Sequence, residues 1–127
     1  MSSLSEKMQA DALEAQRFSR KHLVLELDFS AASIREIEAQ VDSIAYALRG
    51  GLSAENVDML SRIWGAYLGE ALRRARGGEW ERTDDGRVGL KGAWGTAFPH
   101  QQVRQRLTDG EAYNLDRYFA SMVEQMK

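Results

Sequence analysis

The longest amphipathic segment of the chain follows Ser53 and ends at Gly77-Gly78. Its apolar residues recur at intervals of three and four, which is the spacing of one face of an α-helix. The positions on that face are Val57, Leu60, Trp64, Leu68, Ala71 and Ala75. Ser53 is a favourable N-cap and a glycine pair a favourable end, so the pattern predicts one long helix. Gly65 and Gly69 inside it predict close approach of another part of the protein.

The period of the pattern changes before this helix. Residues 23–29 alternate between apolar and polar, which predicts a half-buried strand. The positions on its inner side are Leu23, Leu25, Leu27 and Phe29. A helix then begins at Ser30 or Ser33 and ends at Gly50-Gly51. Ser33 and Glu36 have the spacing of a capping box.

The two ends of the chain also predict helices. Residues 5–20 favour helix by composition, but their apolar stripe is thin. We therefore expect the N-terminal helix, within residues 1–22, to be loosely packed. Near the other end, Pro99 suits a first helical residue, and Asp109 is predicted to cap the last helix.

A hairpin is predicted near residues 79–91. A two-residue turn would mix core and solvent positions on each face, whereas the three-residue loop Asp84-Asp85-Gly86 keeps them apart. This register pairs Trp80 with Leu90, Arg82 with Val88 and Glu79 with Lys91. A third strand containing Trp94, Thr96 and Phe98 is an open alternative. The predicted class is α+β, with about five helices packed around a small antiparallel sheet.

Composition limits the classes of protein to which the chain can belong. Its 127 residues are 43% hydrophobic and 28% charged, which is typical of a single globular domain over residues 1–127. The net charge of −2 provides no overall field for nucleic acid. No apolar run approaches the roughly 20 residues that cross a bilayer, and the N-terminus lacks a signal-peptide pattern. We therefore expect a cytoplasmic protein with no nucleic-acid or membrane partner.

No catalytic or cofactor motif stands out in the sequence. The chain has no cysteine, which excludes disulfides and thiolate metal sites. Its two histidines, His22 and His100, are isolated, and the Asp84-Asp85 turn lacks the further ligands of a calcium loop. The glycines after the hairpin lack the strand-then-helix context of a phosphate loop. We therefore expect no catalytic residue, no metal and no cofactor.

Tryptophans and arginines remain as candidates for binding. The repeats place Trp64 and Trp80 in the core, whereas Trp94 is either a core residue or an exposed anchor of an interface. A second candidate is a local basic face, for which the alternative is an ordinary solvated helix surface. The residues of this face are Arg87, His100, Gln101, Arg104 and Arg106.

Two stretches of the chain, WGAYLGEALRRARGGEWE and FPHQQVRQRLTDGEAYNLDRYF, contain a set of short motifs. These are a Gly-x-Tyr-Leu-Gly-Glu helix, a Gly-Gly-x-Trp strand start, a Phe-Pro step and a Val-x-x-Arg-Leu-x-x-Gly helix end. With them the chain resembles a widespread family of small uncharacterised bacterial cytoplasmic proteins, over roughly residues 24 to 120. Glycines, aromatic residues and caps dominate these motifs, so the resemblance implies a fold more directly than a function.

Some members of such families are encoded beside polymorphic or contact-dependent toxins. The resemblance therefore implies an immunity protein, a non-catalytic protein-binding domain that neutralises a cognate bacterial toxin by occluding its active or substrate site. We expect the carboxylates at the hairpin tip to pair with a basic region of that toxin. The expected partner-binding residues are Asp84, Asp85, Arg87, Trp94, His100, Gln101 and Arg104.

Two alternatives to an immunity protein stay open. The first is a secretion or folding chaperone for an effector, which is often dimeric and would follow an α-β-β-β-α-β-β-α order. The second is an enzyme or small-ligand-binding protein with a pocket between the long helix and the sheet. The residues of that pocket are Tyr67, Glu70, Arg73 and Trp80. A homodimer is compatible with these functions.

Overall fold

The computed structural model describes residues 3–127, which form helices packed around a three-stranded antiparallel sheet. Five of these helices have ten residues or more, and the predicted α+β class is confirmed. In chain order the elements are α1 (Leu4–Leu23), α2 (Ala31–Gln40), a 3-10 turn (Val41–Ser43), α3 (Ile44–Ala47), α4 (Ala54–Arg76), β1 (Glu79–Arg82), β2 (Val88–Gly92), β3 (Gly95–Ala97), α5 (Pro99–Asp109), a second 3-10 turn (Glu111–Tyr113) and α6 (Leu115–Gln125).

Helix α4 forms the centre of the fold. Its predicted start is confirmed, because the Ser53 hydroxyl accepts the Asn56 N–H at 3.2 Å, and so is its end at Gly77. Every residue from Ile63 to Leu72 is buried, since α1 and α5 both pack along this helix. The sequence pattern predicts burial of one face of α4, whereas the structure buries all faces of the helix from Ile63 to Leu72.

Helix α1 packs closely on α4, so the expectation of loose packing is wrong. Met8, Ala12 and Ala15 are buried, and the buried hydroxyl of Ser19 accepts a hydrogen bond from the Trp64 indole at 3.2 Å. The apolar stripe is thin because its alanines are small. Small side chains let two helix axes approach each other closely.

Residues 23–29 form no strand, so that prediction is wrong. Helix α1 continues to Leu23 and ends at Val24, which adopts the left-handed conformation (φ 56°). Burial alternates along the extended segment that follows, but no strand within residues 3–127 pairs with it. Some of its backbone groups bond to side chains instead; for example, the Phe29 N–H donates to the Tyr67 hydroxyl at 2.7 Å.

Helix α2 begins at the first of its two predicted caps. The Ser30 hydroxyl accepts the Ser33 N–H at 3.1 Å, so Ser30 is the N-cap and the capping box of Ser33 and Glu36 is wrong. The predicted continuous helix is interrupted by the first 3-10 turn, and its buried stripe continues through that turn into α3. Gly50-Gly51 follows α3 with positive φ angles of 85° and 58°, as a chain reversal requires.

The hairpin has the predicted register. The paired residues are Trp80 with Leu90, Arg82 with Val88 and Glu79 with Lys91. A hydrogen bond of 2.8 Å from the Thr83 N–H to the Arg87 carbonyl closes the predicted three-residue loop, in which Gly86 has a φ of 85°. The ammonium of Lys91 forms its ion pair with Glu81, at 3.9 Å, rather than with Glu79.

The elements after the hairpin partly follow the prediction. A third strand exists as β3, but Trp94 lies in the turn before it and Phe98 follows it. Helix α5 begins at Pro99 as expected. Asp109 does not cap α6, because the Asn114 side chain does so by accepting the Arg117 N–H at 3.0 Å.

Candidate functional site

The residues of the sequence motifs meet around Gly69 on α4. A Cβ atom at this position would lie 2.0 Å from Cη2 of Trp80 and 3.0 Å from Cγ of Pro99. The helix glycine, the tryptophan of the strand start and the proline of the Phe-Pro step are therefore in direct contact. These motif residues fix the sheet and α5 onto α4.

Glu70 is a buried carboxylate whose oxygens are occupied. It accepts hydrogen bonds from the Trp80 indole at 2.8 Å and from the Arg73 guanidinium at 2.8 and 3.0 Å. Burial acts to raise the pKa of Glu70, but these bonds and the charges of Arg73 and Arg74 outweigh it, so the pKa lies below its usual range. The carboxylate is therefore held ionised as a structural anchor.

Tyr67, on the same helix, has other partners. Its hydroxyl bonds to the Ser33 hydroxyl at 2.6 Å, its ring stacks on Phe29 at 4.6 Å between centroids, and burial raises its pKa. Tyr67 is fully buried and Trp80 is nearly so. Glu70 lines a hollow with Phe29 and Arg74, and none of the other three predicted residues lines it, so the predicted pocket of four residues is wrong.

The tip of the hairpin is fixed by its own polar groups. Asp85 accepts hydrogen bonds from the Thr83 hydroxyl and from the Arg87 guanidinium, the latter at 2.8 Å. The bond with Thr83, followed by those with Arg87, lowers the pKa of Asp85. Asp84 beside it is exposed and forms no hydrogen bond or ion pair with any residue from 3 to 127. The tip thus presents one carboxylate that is free for a partner.

The tip lies against the first turn of α5. The Arg87 guanidinium donates to the Gln101 side-chain oxygen at 3.1 Å and lies 4.0 Å from the centroid of the Phe98 ring. One turn further along α5, Arg104 pairs with Asp58 of α4 at 2.5 Å. We call this exposed region the tip surface; its residues are Asp84, Asp85, Arg87, Gln101 and Arg104.

His100 lines a cleft beside the tip surface. The cleft, here named the His100 cleft, has a volume of about 350 Å³ and lies between α1, α4, the hairpin and α5. The imidazole packs at 5.7 Å from the Trp80 ring, and a Cβ at Gly65 would lie 2.6 Å from it. Burial lowers the pKa of His100 to about 4, with opposing smaller effects from Asp11 and Lys7, so the ring is neutral at pH 7.

Two residues of the predicted binding set lie elsewhere. Trp94 is half-buried in the turn between β2 and β3, at the end of β2 away from Arg87, and its indole packs over Gly92. Arg106 is only 4% exposed and pairs with Glu38 of α2 at 2.9 Å, so its assignment to a basic face is wrong. The remaining predicted residues, Asp84, Asp85, Arg87, His100, Gln101 and Arg104, lie together.

Sequence reasoning missed the residues that α1 and α4 contribute to the His100 cleft. These are Lys7, Met8, Asp11 and Arg62. One signal was available, because Asp11 follows Met8 by three residues and precedes Ala15 by four. It therefore lies on the inward stripe of α1, where a carboxylate needs a partner. Arg62 is that partner, at 2.8 Å.

Comparison of the chain with protein families, with curated proteins and with solved structures finds no match. Among residues 3–127, no cluster of three or more histidine, aspartate or glutamate side chains is placed to hold a metal ion. No helix in the same range combines the length and the apolar character that crossing a membrane requires.

Proposed function

We propose that the protein is a non-catalytic binding protein of the immunity class, which neutralises a cognate bacterial toxin by occluding its active or substrate site. The tip surface is the part that docks. The observation that carries this proposal is the hairpin tip, whose conformation is fixed internally while Asp84 is left without a partner among the described residues.

A fixed tip favours binding because little conformational entropy remains to be lost when the partner docks. Thr83, Asp85 and Arg87 already hold one another in the free protein. The exposed Asp84 carboxylate suits a basic active site, such as one that acts on an anionic substrate. Gln101 and Arg104 extend the same surface with polar groups that can pair at the rim of an interface.

The test is growth of bacteria that express a toxin encoded beside this gene, with and without this protein. We expect the wild-type protein to restore growth and to bind the toxin, and Asp84→Lys to weaken that binding at least about tenfold. Asp84 is the appropriate position because Asp85 also holds the turn together. Glu36→Lys, an exposed change of the same charge on α2, is the matched control.

Two results would contradict the proposal. One is equal toxin binding by the wild-type protein and by Asp84→Lys, since the tip would then not be in the interface. The other is failure of the wild-type protein to neutralise any toxin encoded beside it.

The observed element order bears on the chaperone alternative. The three strands form one uninterrupted run between α4 and α5, which differs from the α-β-β-β-α-β-β-α order that this alternative requires. The small-ligand alternative is favoured by a different observation, the His100 cleft, which lies outside the four residues first expected to form a pocket.

A further inference from the structure

The His100 cleft combines an apolar wall with a basic rim. Its apolar side chains are Met8, Val88 and Phe98. Its cationic side chains are Lys7, Arg62, Arg82 and Arg87. A volume of about 350 Å³ falls within the range of small-molecule sites. The lining therefore suits a small ligand that has an apolar body and a negative charge.

Most of the rim charges are already paired. Lys7 and Arg62 both contact Asp11, at 2.9 and 2.8 Å, and Arg62 also pairs with Glu14 at 2.9 Å. Arg87 pairs with Asp85 at 2.8 Å. Arg82 forms no ion pair with any residue of the described range. Of these four cations, Arg82 alone has no carboxylate partner within residues 3–127.

The start of helix α5 adds to this positive character. Phe98, at the N-cap, has no side-chain acceptor for the first-turn amides, and no other side chain caps the helix within residues 3–127. The first turn comprises Pro99, His100 and Gln101, and the last two line the cleft. The uncapped start of a helix carries partial positive charge from its free N–H groups.

Two buried polar atoms beside the cleft have no hydrogen-bond partner in the described chain. They are Oγ of Ser61, in a residue that is 4% exposed, and Nδ1 of His100. Ser61 and His100 both line a second hollow that shares Arg62, Arg87 and Gln101 with the His100 cleft. Buried polar atoms are rarely left unpaired in proteins, and ligand sites are among the places where they occur.

We propose that the His100 cleft binds a small organic monocarboxylate, with its apolar body against Met8, Val88 and Phe98 and its carboxylate on Arg82 of β1, in a cleft that the first turn of α5 also lines. A guanidinium can hold both oxygens of a carboxylate at once. One unpaired guanidinium favours a monoanion over a phosphate dianion. This site goes beyond the proposed toxin binding and does not depend on it.

The probe is sodium benzoate, titrated into the full chain and followed by ¹H–¹⁵N chemical shifts. Benzyl alcohol and inorganic phosphate serve as a neutral analogue and a compact anion. We expect saturable shifts at Arg82, Val88, His100 and Gln101 with benzoate, and at least about tenfold weaker binding of either comparison compound. Arg82→Ala should weaken benzoate binding at least about tenfold. Arg17→Ala, a change at an exposed arginine of α1 outside the cleft, should leave it unchanged.

A second variant keeps the structure intact while changing the charge. Gln101→Glu retains an oxygen acceptor for Arg87 and adds one negative charge to the cleft, so it should abolish benzoate shifts. Asp84→Lys should retain them, which separates this site from the tip surface. The proposal is overturned if benzoate causes no shifts at these residues, if phosphate or benzyl alcohol binds as well, or if Arg82→Ala binds like the wild-type protein.

Discussion

Replacement of Gly69 by alanine tests the contact that joins the sheet to α4. The new Cβ would lie 2.0 Å from Cη2 and 2.4 Å from Cζ2 of Trp80, whereas carbon atoms in contact are about 3.5–4.0 Å apart. To restore an ordinary contact distance, the indole would have to move away from the new Cβ by more than about 1 Å. Such a movement would break the 2.8 Å hydrogen bond from Trp80 to Glu70.

The expected loss of stability follows from these contributions. Overpacking a core costs about 1–3 kcal/mol. A lost hydrogen bond to a charged group costs about 1.5–3 kcal/mol. Replacing glycine by alanine in a helix returns about 1 kcal/mol. We therefore expect Gly69→Ala to reduce the free energy of unfolding by about 1.5–5 kcal/mol.

The assay is urea unfolding followed by far-ultraviolet circular dichroism, for the single variants and for the pair with Trp80→Phe. Phenylalanine lacks the indole atoms that the new Cβ meets, so Gly69→Ala should cost less than about 1 kcal/mol in that background. The control is Ser61→Ala, which lies about two turns before Gly69 on α4. It removes an unpaired hydroxyl and should change stability little.

Two outcomes would refute the packing interpretation. The first is a loss of unfolding free energy below about 0.5 kcal/mol for Gly69→Ala in the wild-type protein, which is the usual effect of a surface substitution. The second is an equal loss of unfolding free energy for Gly69→Ala in the wild-type protein and in the Trp80→Phe background.

Two further predictions concern buried charged or titratable groups. Burial lowers the pKa of His100 in the folded protein to about 4, from an ordinary value of 6.5. Only the unfolded chain therefore gains this proton as pH falls from about 6.5 to 4, and stability falls with it. Between pH 7 and pH 5 the wild-type protein should lose roughly 2 kcal/mol more than His100→Gln in urea unfolding, and equal losses would contradict this. Glu38→Ala removes one of the two carboxylate partners of the buried Arg106, leaving Asp42 at 3.2 Å, and removes the acceptor of the Leu115 N–H, at 2.7 Å. Glu38→Ala should lower the free energy of unfolding by about 2–4 kcal/mol, measured by urea unfolding. The double variant Glu38→Leu with Arg106→Met should lose less. An unchanged free energy of unfolding for Glu38→Ala would contradict the role of the pair.

The sequence predicts well where local chemistry decides the structure. The loop Asp84-Asp85-Gly86 determines the register, because only this loop length places Trp80 and Leu90 on the same face. Ser53 and Gly77 delimit α4 for a similar reason, since caps depend on residues within one turn. These features require no knowledge of the rest of the fold.

Prediction from the sequence fails where partners distant in the chain determine the local structure. Residues 23–29 alternate as a strand does, yet their partners are side chains from other helices, including the Gln16 amide, which donates to the Leu27 carbonyl at 2.8 Å. Arg106 resembles a surface residue until Glu38, far away in the chain, is placed beside it. Period and composition contain no information on such pairs.

The candidate site shows the same division. Arg87, His100 and Gln101 are close in sequence, and their proximity could be predicted. Lys7 and Arg62 reach the His100 cleft only because α1 and α4 pack side by side. Glu70 was expected either in a pocket or paired with an arginine such as Arg73; the structure shows the Arg73 pair and adds Trp80 of β1, which the sequence did not indicate.

Hydrogen–deuterium exchange of this protein, alone and bound to the proposed cognate toxin, tests the central claim most directly. The claim is that the tip surface docks on the partner while the motif residues around Gly69 only support the fold. We predict that binding protects the amides of residues 83–87 and 100–104 and leaves those of α2 and α6 unchanged. Protection confined to α2 and α6, with the hairpin tip exchanging as in the free protein, would contradict the claim.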